Sequence, residues 1–237
     1  MKKFKDPIYG YIKIPKTIVT RIIDTPEFQR LRYIKQTSYL PVYSAALHNR
    51  FIHSLGVYFL GGIVSDTLFN NSITILKECS IESNIKEIFQ LACLLHDVGH
   101  APFSHSGEGF YIDEQKSLYV KLKQEVNNES FSADVDYYHK NGKVAAPHEI
   151  MSVIVALERF GSFPGLDEYR DFFARCITGY KYRDIENNIS HAALNAFITL
   201  LNSTTIDVDR LDYLIRDAQV MGYNSISIDY HWSYVKI

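Results

Sequence analysis

The residues with the clearest chemical potential lie in one stretch, HDVGHAPFSHSGE, which spans residues 96–108. This stretch holds three histidines and two carboxylates at the predicted exit of an apolar helix. Imidazole nitrogens and carboxylate oxygens together suit a divalent first-row metal ion. We therefore take the adjacent pair His96 and Asp97 as the centre of a candidate metal site. On a continuous helix, His96 and His100 would share a face.

Two adjacent ligands do not fill a coordination sphere, so further ligands must come from elsewhere in the chain. His53 is one candidate, in HNRFIHSLGV just before a predicted helix. Asp207 and Asp209 are two more, in IDVDRLDYLIRD near the start of a late helix. Each also has a simpler interpretation taken alone. A histidine there commonly caps a helix or lies on the surface, and aspartates favour the positive end of a helix dipole.

The elements that must hold these residues are mainly α-helical, with a small β element near the N-terminus. The first twenty residues, around DPIYGYIKI, favour strand or turn. Thr25 and Pro26 are typical of the N-cap and first position of a helix, whose buried face would carry Phe28, Leu31 and Ile34. Further helices are predicted over residues 54–69, 85–100, 115–124, 148–160, 168–178, 190–202 and 209–219.

Three segments depart from this helical pattern. Residues 37–49 lack a helical period and are predicted to be a loop. Residues 113–143 are polar and charged, which predicts a surface excursion with one short helix. The final segment, SISIDYHWSYVKI, has an apolar pattern and stops without a polar stretch that would end it. We expect residues 1–237 to form one domain, and we expect a C-terminal portion to be missing from it.

Composition excludes several classes of protein. The chain has 237 residues, 46% of them hydrophobic, with 25 basic and 27 acidic side chains. This balance is that of a globular protein and argues against disorder and against a nucleic-acid partner. No apolar run matches a membrane span or a signal peptide, so no membrane partner is expected. Cys79, Cys93 and Cys176 are odd in number, which predicts free thiols in a reducing, cytoplasmic compartment.

Three motifs together resemble a known family. HNRFIHSLGV, LACLLHDVGHAPFSH and IDVDRLDYLIRD, in that order, resemble the HD-domain superfamily of metal-dependent phosphohydrolases. The resemblance is closest to the deoxynucleoside triphosphate triphosphohydrolases, both bacterial dGTPase-like enzymes and the vertebrate SAM-and-HD-domain enzyme. DPIYGYI and RIIDTPEFQRLRYIKQ extend it, so that it covers most of residues 4–110 and 145–223. It implies an HD-domain helical bundle that is the catalytic core of a longer enzyme.

The resemblance also implies roles for individual residues. The implied ligands of a divalent ion (Mn, Mg, Fe, Ni or Zn) are His53, His96, Asp97 and Asp209, which leaves Asp207 a structural role. The implied catalytic residues are His105, Glu108, His100 and His148. Water would attack the α-phosphorus of a deoxynucleoside triphosphate, and His105, oriented by Glu108, would protonate the departing 5′-oxygen. The products would be a deoxynucleoside and inorganic triphosphate.

Substrate and effector contacts are implied in the same way. The implied substrate-binding residues are Arg50 and Arg210 for the polyphosphate, Tyr213 and Asp217 for the sugar, and Gln36 for the 3′-hydroxyl. Thr37 replaces an apolar residue that helps the vertebrate enzyme to exclude a 2′-hydroxyl. Asp24, Gln29 and Arg32 match an effector site for a nucleotide at a subunit interface, although a capped amphipathic helix explains them equally. The family commonly forms symmetric homo-oligomers, and we expect one here.

Two alternatives to the triphosphohydrolase remain open. The first keeps the metal site but changes the substrate: an HD-type nucleotidase or phosphodiesterase that acts on mononucleotides, cyclic nucleotides or strand ends. The second is a metal-binding regulatory or assembly module with little activity. It is motivated by the expectation that the chain is incomplete.

Overall fold

The computed structural model describes residues 1–37, 42–71, 83–112, 115–186 and 188–223 of the chain. These residues are mostly helical, with one two-stranded antiparallel sheet at the N-terminus, which confirms the predicted fold class. Strand β1 (Lys2–Asp6) pairs with β2 (Gly10–Ile14), and Lys2 lies opposite Ile14. Cys93 and Cys176 are free and buried, as predicted. Cys79 and the final segment lie outside the described residues.

Short helical turns connect the sheet to the core. They are α1 (Lys16–Ile18), a π-helical turn (Val19–Ile23), α2 (Pro26–Gln29) and a 3-10 turn (Arg30–Tyr33). Phe28, Leu31 and Ile34 are buried, as their spacing predicts. Thr25 precedes α2 as expected, but its hydroxyl donates to the Ile22 carbonyl at 2.6 Å instead of capping the helix.

Two long helices form the centre of the domain. Helix α3 (Arg50–Asn71) lies against α4 (Ser83–Leu95). Gly61 permits this close contact, because a Cβ there would lie only 2.6 Å from Cys93 Sγ. Both predicted boundaries need correction: α3 begins at Arg50, before residue 54, and α4 ends at Leu95, before residue 100.

The remaining elements complete the bundle. After a 3-10 turn (Ser104–Gly107) come α5 (Gly109–Ile112), α6 (Gln115–Val126), α7 (Glu129–Lys140), α8 (Pro147–Phe160), α9 (Arg170–Thr178), α10 (Ile189–Leu201) and α11 (Val208–Val220). The last four begin within two residues of their predicted starts. Residues 113–143, predicted to be a surface excursion, carry the helices α6 and α7.

Helices α6 and α7 contribute to the core. Leu118 and Leu122 of α6 and Phe131 and Val135 of α7 are all buried. Asn128 caps α7, since its side chain accepts from the Phe131 backbone N–H at 2.9 Å. The sequence pattern did not predict α7, because its two buried apolar residues stand among mostly polar ones.

One helix among the described residues, α3, has the length and hydropathy of a membrane span. However, 67% of its most apolar window is buried inside the protein. An apolar helix that is buried on most of its surface is typical of a protein core.

The core position of α7 can be tested with Phe131→Ala. Removing this fully buried ring should lower the free energy of unfolding by about 3–5 kcal/mol, because it leaves a cavity. Urea denaturation followed by circular dichroism measures the change. Tyr137→Ala on the same helix is the control: this ring is 45% exposed, and its loss should cost less than about 1 kcal/mol. Equal effects of the two substitutions would mean that α7 lies outside the core.

Candidate active site

Two histidines face each other at the centre of the site. His53 lies in the first turn of α3, not before the helix as predicted, and His96 directly follows α4. Their Nε2 atoms are 3.3 Å apart. His53 Nδ1 lies 2.7 Å from Asp212 Oδ2, and His96 Nδ1 lies 2.8 Å from the Cys93 carbonyl oxygen. Because both Nδ1 atoms donate to these acceptors, both Nε2 atoms face one space, which either a proton or a metal ion can occupy.

The two aspartates implied as ligands complete this cluster. Asp209 Oδ1 lies 2.9 Å from His53 Nε2 and 3.7 Å from His96 Nε2. Asp97 places one oxygen 3.7 Å from His53 Nε2 and the other 3.5 Å from His96 Nε2. Three of the four side chains are buried, whereas that of Asp209 is 38% exposed. Two nitrogens and two carboxylates with one open side fit a divalent ion in a catalytic site.

The charges in the cluster favour a cation. Burial lowers the pKa of His53, but hydrogen bonds to Asp209 and Asp212 outweigh it and raise that pKa to about 10. Burial raises the pKa of Asp97, but the Arg50 guanidinium and His96 hold it well below its ordinary value. The carboxylates therefore remain charged at neutral pH, and without an ion a proton sits on His53. A divalent ion would compete with that proton.

The turn after α4 sets the orientation of the His96 and Asp97 side chains. The backbone N–H groups of Val98 and His100 bond to the carbonyls of Leu95 and Asp97, which ends the helix. The predicted shared helical face of His96 and His100 is therefore wrong. Gly99 donates to Ser152 Oγ at 2.9 Å, and a side chain there would overlap the backbone of α8.

A buried charge network fixes the His53 ring from behind. Asp212 accepts from His53 and also from Arg216 Nε and Nη2, at 2.9 and 2.8 Å. Arg216 Nη1 in turn donates to Asp6 Oδ2 at 3.0 Å. Gly56, on the same side of α3, leaves room for this network, because a Cβ there would overlap Asp212 and Arg216. Asp212, supported by Arg216 and Asp6, holds the imidazole in one orientation.

Arg50 links the metal ligands to the histidine cluster beside them. Its Nη1 donates to Asp97 Oδ2 at 2.6 Å, and its Nε and Nη2 donate to Ser104 Oγ at 3.2 and 2.5 Å. Its Nη2 also lies 3.4 Å from His105 Nε2. The structure therefore places the Arg50 charge between Asp97 and His105. Its contact with a polyphosphate stays a prediction.

The four residues implied to be catalytic also come together. Glu108 Oε1 accepts from His105 Nδ1 at 2.7 Å and from His148 Nδ1 at 2.6 Å. Burial raises the pKa of Glu108, but these hydrogen bonds outweigh it and lower that pKa below its ordinary value. His100 stacks on His148 with ring centroids 4.1 Å apart. Burial lowers the pKa of His100 to about 2, so this ring is neutral.

One of the implied substrate residues, Arg210, lies beside this centre. Arg210 and Asp209 line a cleft of about 120 Å³ beside His96 and His148. The Arg210 guanidinium donates to the carbonyls of residues 204 and 205. Asp207 caps α11, since its Oδ1 accepts from the Arg210 backbone N–H at 2.8 Å.

The implied sugar contacts lie at another edge of α3 and α11. Asp217 Oδ1 lies 2.7 Å from His48 Nε2, and the Gln36 backbone N–H donates to the His48 carbonyl at 3.2 Å. Thr37 and Tyr213 are partly buried.

The implied effector residues lie apart from the metal cluster in the chain. Asp24 pairs with Lys2 at 3.4 Å. Arg32 donates to Gln29 Oε1 at 2.8 Å and stacks over Phe51, with its guanidinium carbon 3.5 Å from the ring centroid. Effector binding at these residues stays a prediction.

Sequence reasoning missed Asp212, Arg216 and His48. The signal for the first two was present, because charged residues at i and i+4 on the buried face of α11 need partners. Their partners, His53 and Asp6, lie more than 150 residues away in the chain, as the separations of 159 and 210 show.

Asp212→Asn tests the support of His53. The substitution keeps the shape of the side chain but removes the charged acceptor of His53 Nδ1, and metal affinity should fall about 10- to 100-fold. Competition with a chromogenic chelator measures this affinity. The control is Asp207→Asn, since this residue caps α11 and asparagine caps equally well. Unchanged affinity in Asp212→Asn would contradict the assigned support.

The chain is similar to several known proteins. The HD domain family matches residues 50–162. The human deoxynucleoside triphosphate triphosphohydrolase SAMHD1 is 32% identical over 97% of this chain and 35% of its own length. The SAMHD1 homolog of Dictyostelium discoideum is 32% identical over 95% of the chain and 37% of its own length. The chain thus spans little more than a third of these relatives.

Two bacterial proteins are also similar to this chain. The uncharacterized protein YwfO of Bacillus subtilis is 32% identical over 93% of the chain and 40% of its own length. The crystal structure of a hypothetical protein from Aquifex aeolicus covers 99% of the chain with a TM-score of 0.62 and 27% identity, over 50% of that protein. The chain therefore contains an HD domain over residues 50–162, and its similarity over nearly its whole length fits the HD-domain deoxynucleoside triphosphate triphosphohydrolases.

Proposed function

We propose that the protein hydrolyses deoxynucleoside triphosphates to a deoxynucleoside and inorganic triphosphate. The observation that carries the proposal is the convergence of His53, His96, Asp97 and Asp209 beside an exposed histidine–carboxylate dyad. The human and Dictyostelium relatives bear the name of this activity, which supports the choice of substrate. A metal-dependent phosphohydrolase is the broader class within which the proposal falls.

The ligand cluster and the dyad have separate tasks in this reaction. A divalent ion, when bound by the four ligands, supplies Lewis-acid charge to a phosphate oxygen and lowers the pKa of water. His105 Nδ1 donates a hydrogen bond to Glu108. Its Nε2 is therefore the atom that carries a proton to the departing 5′-oxygen. Glu108 fixes the orientation of the ring through this hydrogen bond.

Two arginines are placed to bind the polyphosphate. Arg50 Nη2 lies 3.4 Å from His105 Nε2, so a phosphate bound there would have its leaving oxygen near the proton donor. Arg210 now donates to neutral backbone carbonyls, which a phosphate anion can replace with stronger, charge-assisted hydrogen bonds.

A nucleotide effector at Asp24, Gln29 and Arg32, a homo-oligomeric assembly and a cytoplasmic location belong to the same proposal. They rest on the family resemblance of the N-terminal motif DTPEFQRLR and on the cysteine usage.

The products of the reaction test the proposed substrate. The protein, supplied with Mn²⁺ or Mg²⁺ and each deoxynucleoside triphosphate in turn, should release inorganic triphosphate, resolved by anion exchange. Release of pyrophosphate or orthophosphate would instead favour a nucleotidase or phosphodiesterase. Metal binding without turnover of any nucleotide would favour a regulatory module.

His105→Ala tests the proton donor. The variant should keep its metal, because His105 is not a ligand, and should lose about 10²- to 10⁴-fold in kcat. Elemental analysis and initial rates measure the two quantities. His191→Ala is the control, since this histidine bonds to the Asp184 carbonyl and stacks on Tyr182. Full activity of His105→Ala would remove His105 from the mechanism.

A further inference from the structure

Ser104 lies next to the proposed proton donor but has no part in the proposed mechanism. It is partly buried and is the first residue of the 3-10 turn that carries His105. Arg50 holds its hydroxyl oxygen, because Nε and Nη2 of the guanidinium both donate to Ser104 Oγ, at 3.2 and 2.5 Å. The same Nη2 lies 3.4 Å from His105 Nε2. One nitrogen of Arg50 therefore contacts both the serine oxygen and the imidazole.

The hydroxyl hydrogen of Ser104 is free to bond to a ligand. A serine hydroxyl has one hydrogen to donate and accepts through its lone pairs, which here face the two Arg50 donors. The hydrogen must point away from the guanidinium, since one donor cannot bond to another. Among the residues that the structure describes, none accepts this hydrogen. The turn therefore presents a free O–H group beside His105.

The backbone of Ser104 is strained. Its φ of 56° lies in the left-handed region, which glycine adopts without cost and serine rarely occupies. Non-glycine residues in this conformation cluster at active sites and ligand-binding turns. Glycine would fit this backbone better, so the presence of serine is explained by its side chain. That side chain supplies an acceptor for Arg50 and a donor that no described residue uses.

We propose that the Ser104 hydroxyl binds the substrate by donating its hydrogen to a non-bridging phosphate oxygen of the nucleotide. A phosphate oxygen carries negative charge, and a hydrogen bond to a charged acceptor is stronger than one to a neutral acceptor. Accepting hydrogen bonds from the Arg50 cation also polarises the hydroxyl and strengthens it as a donor. The inference rests on the proposed function, which brings a phosphate group to Arg50 and His105.

Salt dependence separates this role from a merely structural one. The attraction between the Arg50 charge and a phosphate weakens as salt is added, whereas a hydrogen bond from a neutral hydroxyl changes little. If Ser104 bonds to the phosphate itself, its loss lowers the affinity by the same factor at every salt concentration. If Ser104 only holds Arg50 in place, its loss also makes the binding less sensitive to salt.

Binding of inorganic triphosphate tests the donor. Calorimetry at fixed Mg²⁺ compares metal-loaded wild-type protein with Ser104→Ala over a series of salt concentrations. The substitution should lower the affinity about 10- to 100-fold, with an unchanged dependence of log Kd on log salt. The affinity for a deoxynucleoside, which has no phosphate, should stay the same. Ser106→Ala is the control, because it removes an exposed hydroxyl from the same turn and should bind triphosphate as the wild type does.

Ser104→Gly tests the strain and provides a second variant. It should lose affinity for triphosphate as Ser104→Ala does, because both lack the hydroxyl. Its Tm should exceed that of Ser104→Ala, because glycine relieves the strained backbone. Circular dichroism measures the Tm and shows whether each variant folds, and either variant suffices for the affinity. A Tm of Ser104→Gly that is no higher would contradict the strain on which the inference depends.

Three results would overturn the donor role while release of triphosphate from nucleotides still supports the proposed function. They are an unchanged affinity for triphosphate, a loss accompanied by weaker salt dependence, and an equal loss of affinity for the deoxynucleoside. Failure of the wild type to bind triphosphate would overturn the donor role as well. If the wild type turns over no nucleotide, the proposed function fails, and the triphosphate affinities of wild type and variants still decide the role of Ser104.

Discussion

The rest of the structure depends on the approach of two imidazole Nε2 atoms to 3.3 Å. Two lone pairs do not remain that close without a positive charge between or beside them. The arrangement persists because each ring is held from behind, His53 by the Asp212 carboxylate and His96 by the Cys93 carbonyl. Helices α3, α4 and α11 meet at this point, so that the main packing contacts and the metal ligands share the same elements.

Concentrating charge in a core requires partners for every charged group. Asp97 is neutralised by Arg50, and Asp212 by Arg216, which also reaches Asp6 in the N-terminal sheet. The sheet is therefore part of the support of the site, although it lies far from it in the chain. The near-zero net charge of the sequence conceals this alternation of buried charges. Because these buried charges are paired across the core, the fold and the site are stabilised by the same ion pairs.

Much of this could be predicted from the sequence, and the limits have physical causes. The helical period located α8 to α11 within two residues of their starts, because apolar residues recur at helical spacing in each of them. The period extended α4 too far, since the turn at His96 to Gly99 is made by hydrogen bonds that leave no trace in hydropathy. The motif resemblance supplied the four ligands. The support of His53 by Asp212 could not be predicted from spacing, because it joins residues 159 positions apart.

The separation of the two histidine clusters follows from what each must do. A metal ion must displace the proton from His53 Nε2 and be shielded from water, and His53 is fully buried. A proton donor must instead receive a new proton from solvent in each turnover, and the His105 side chain is 67% exposed. His100 stands between them, 3.3 Å from Asp97 and stacked on His148, and burial keeps it neutral with its pKa near 2. A neutral ring in that place adds no positive charge beside the metal ligands.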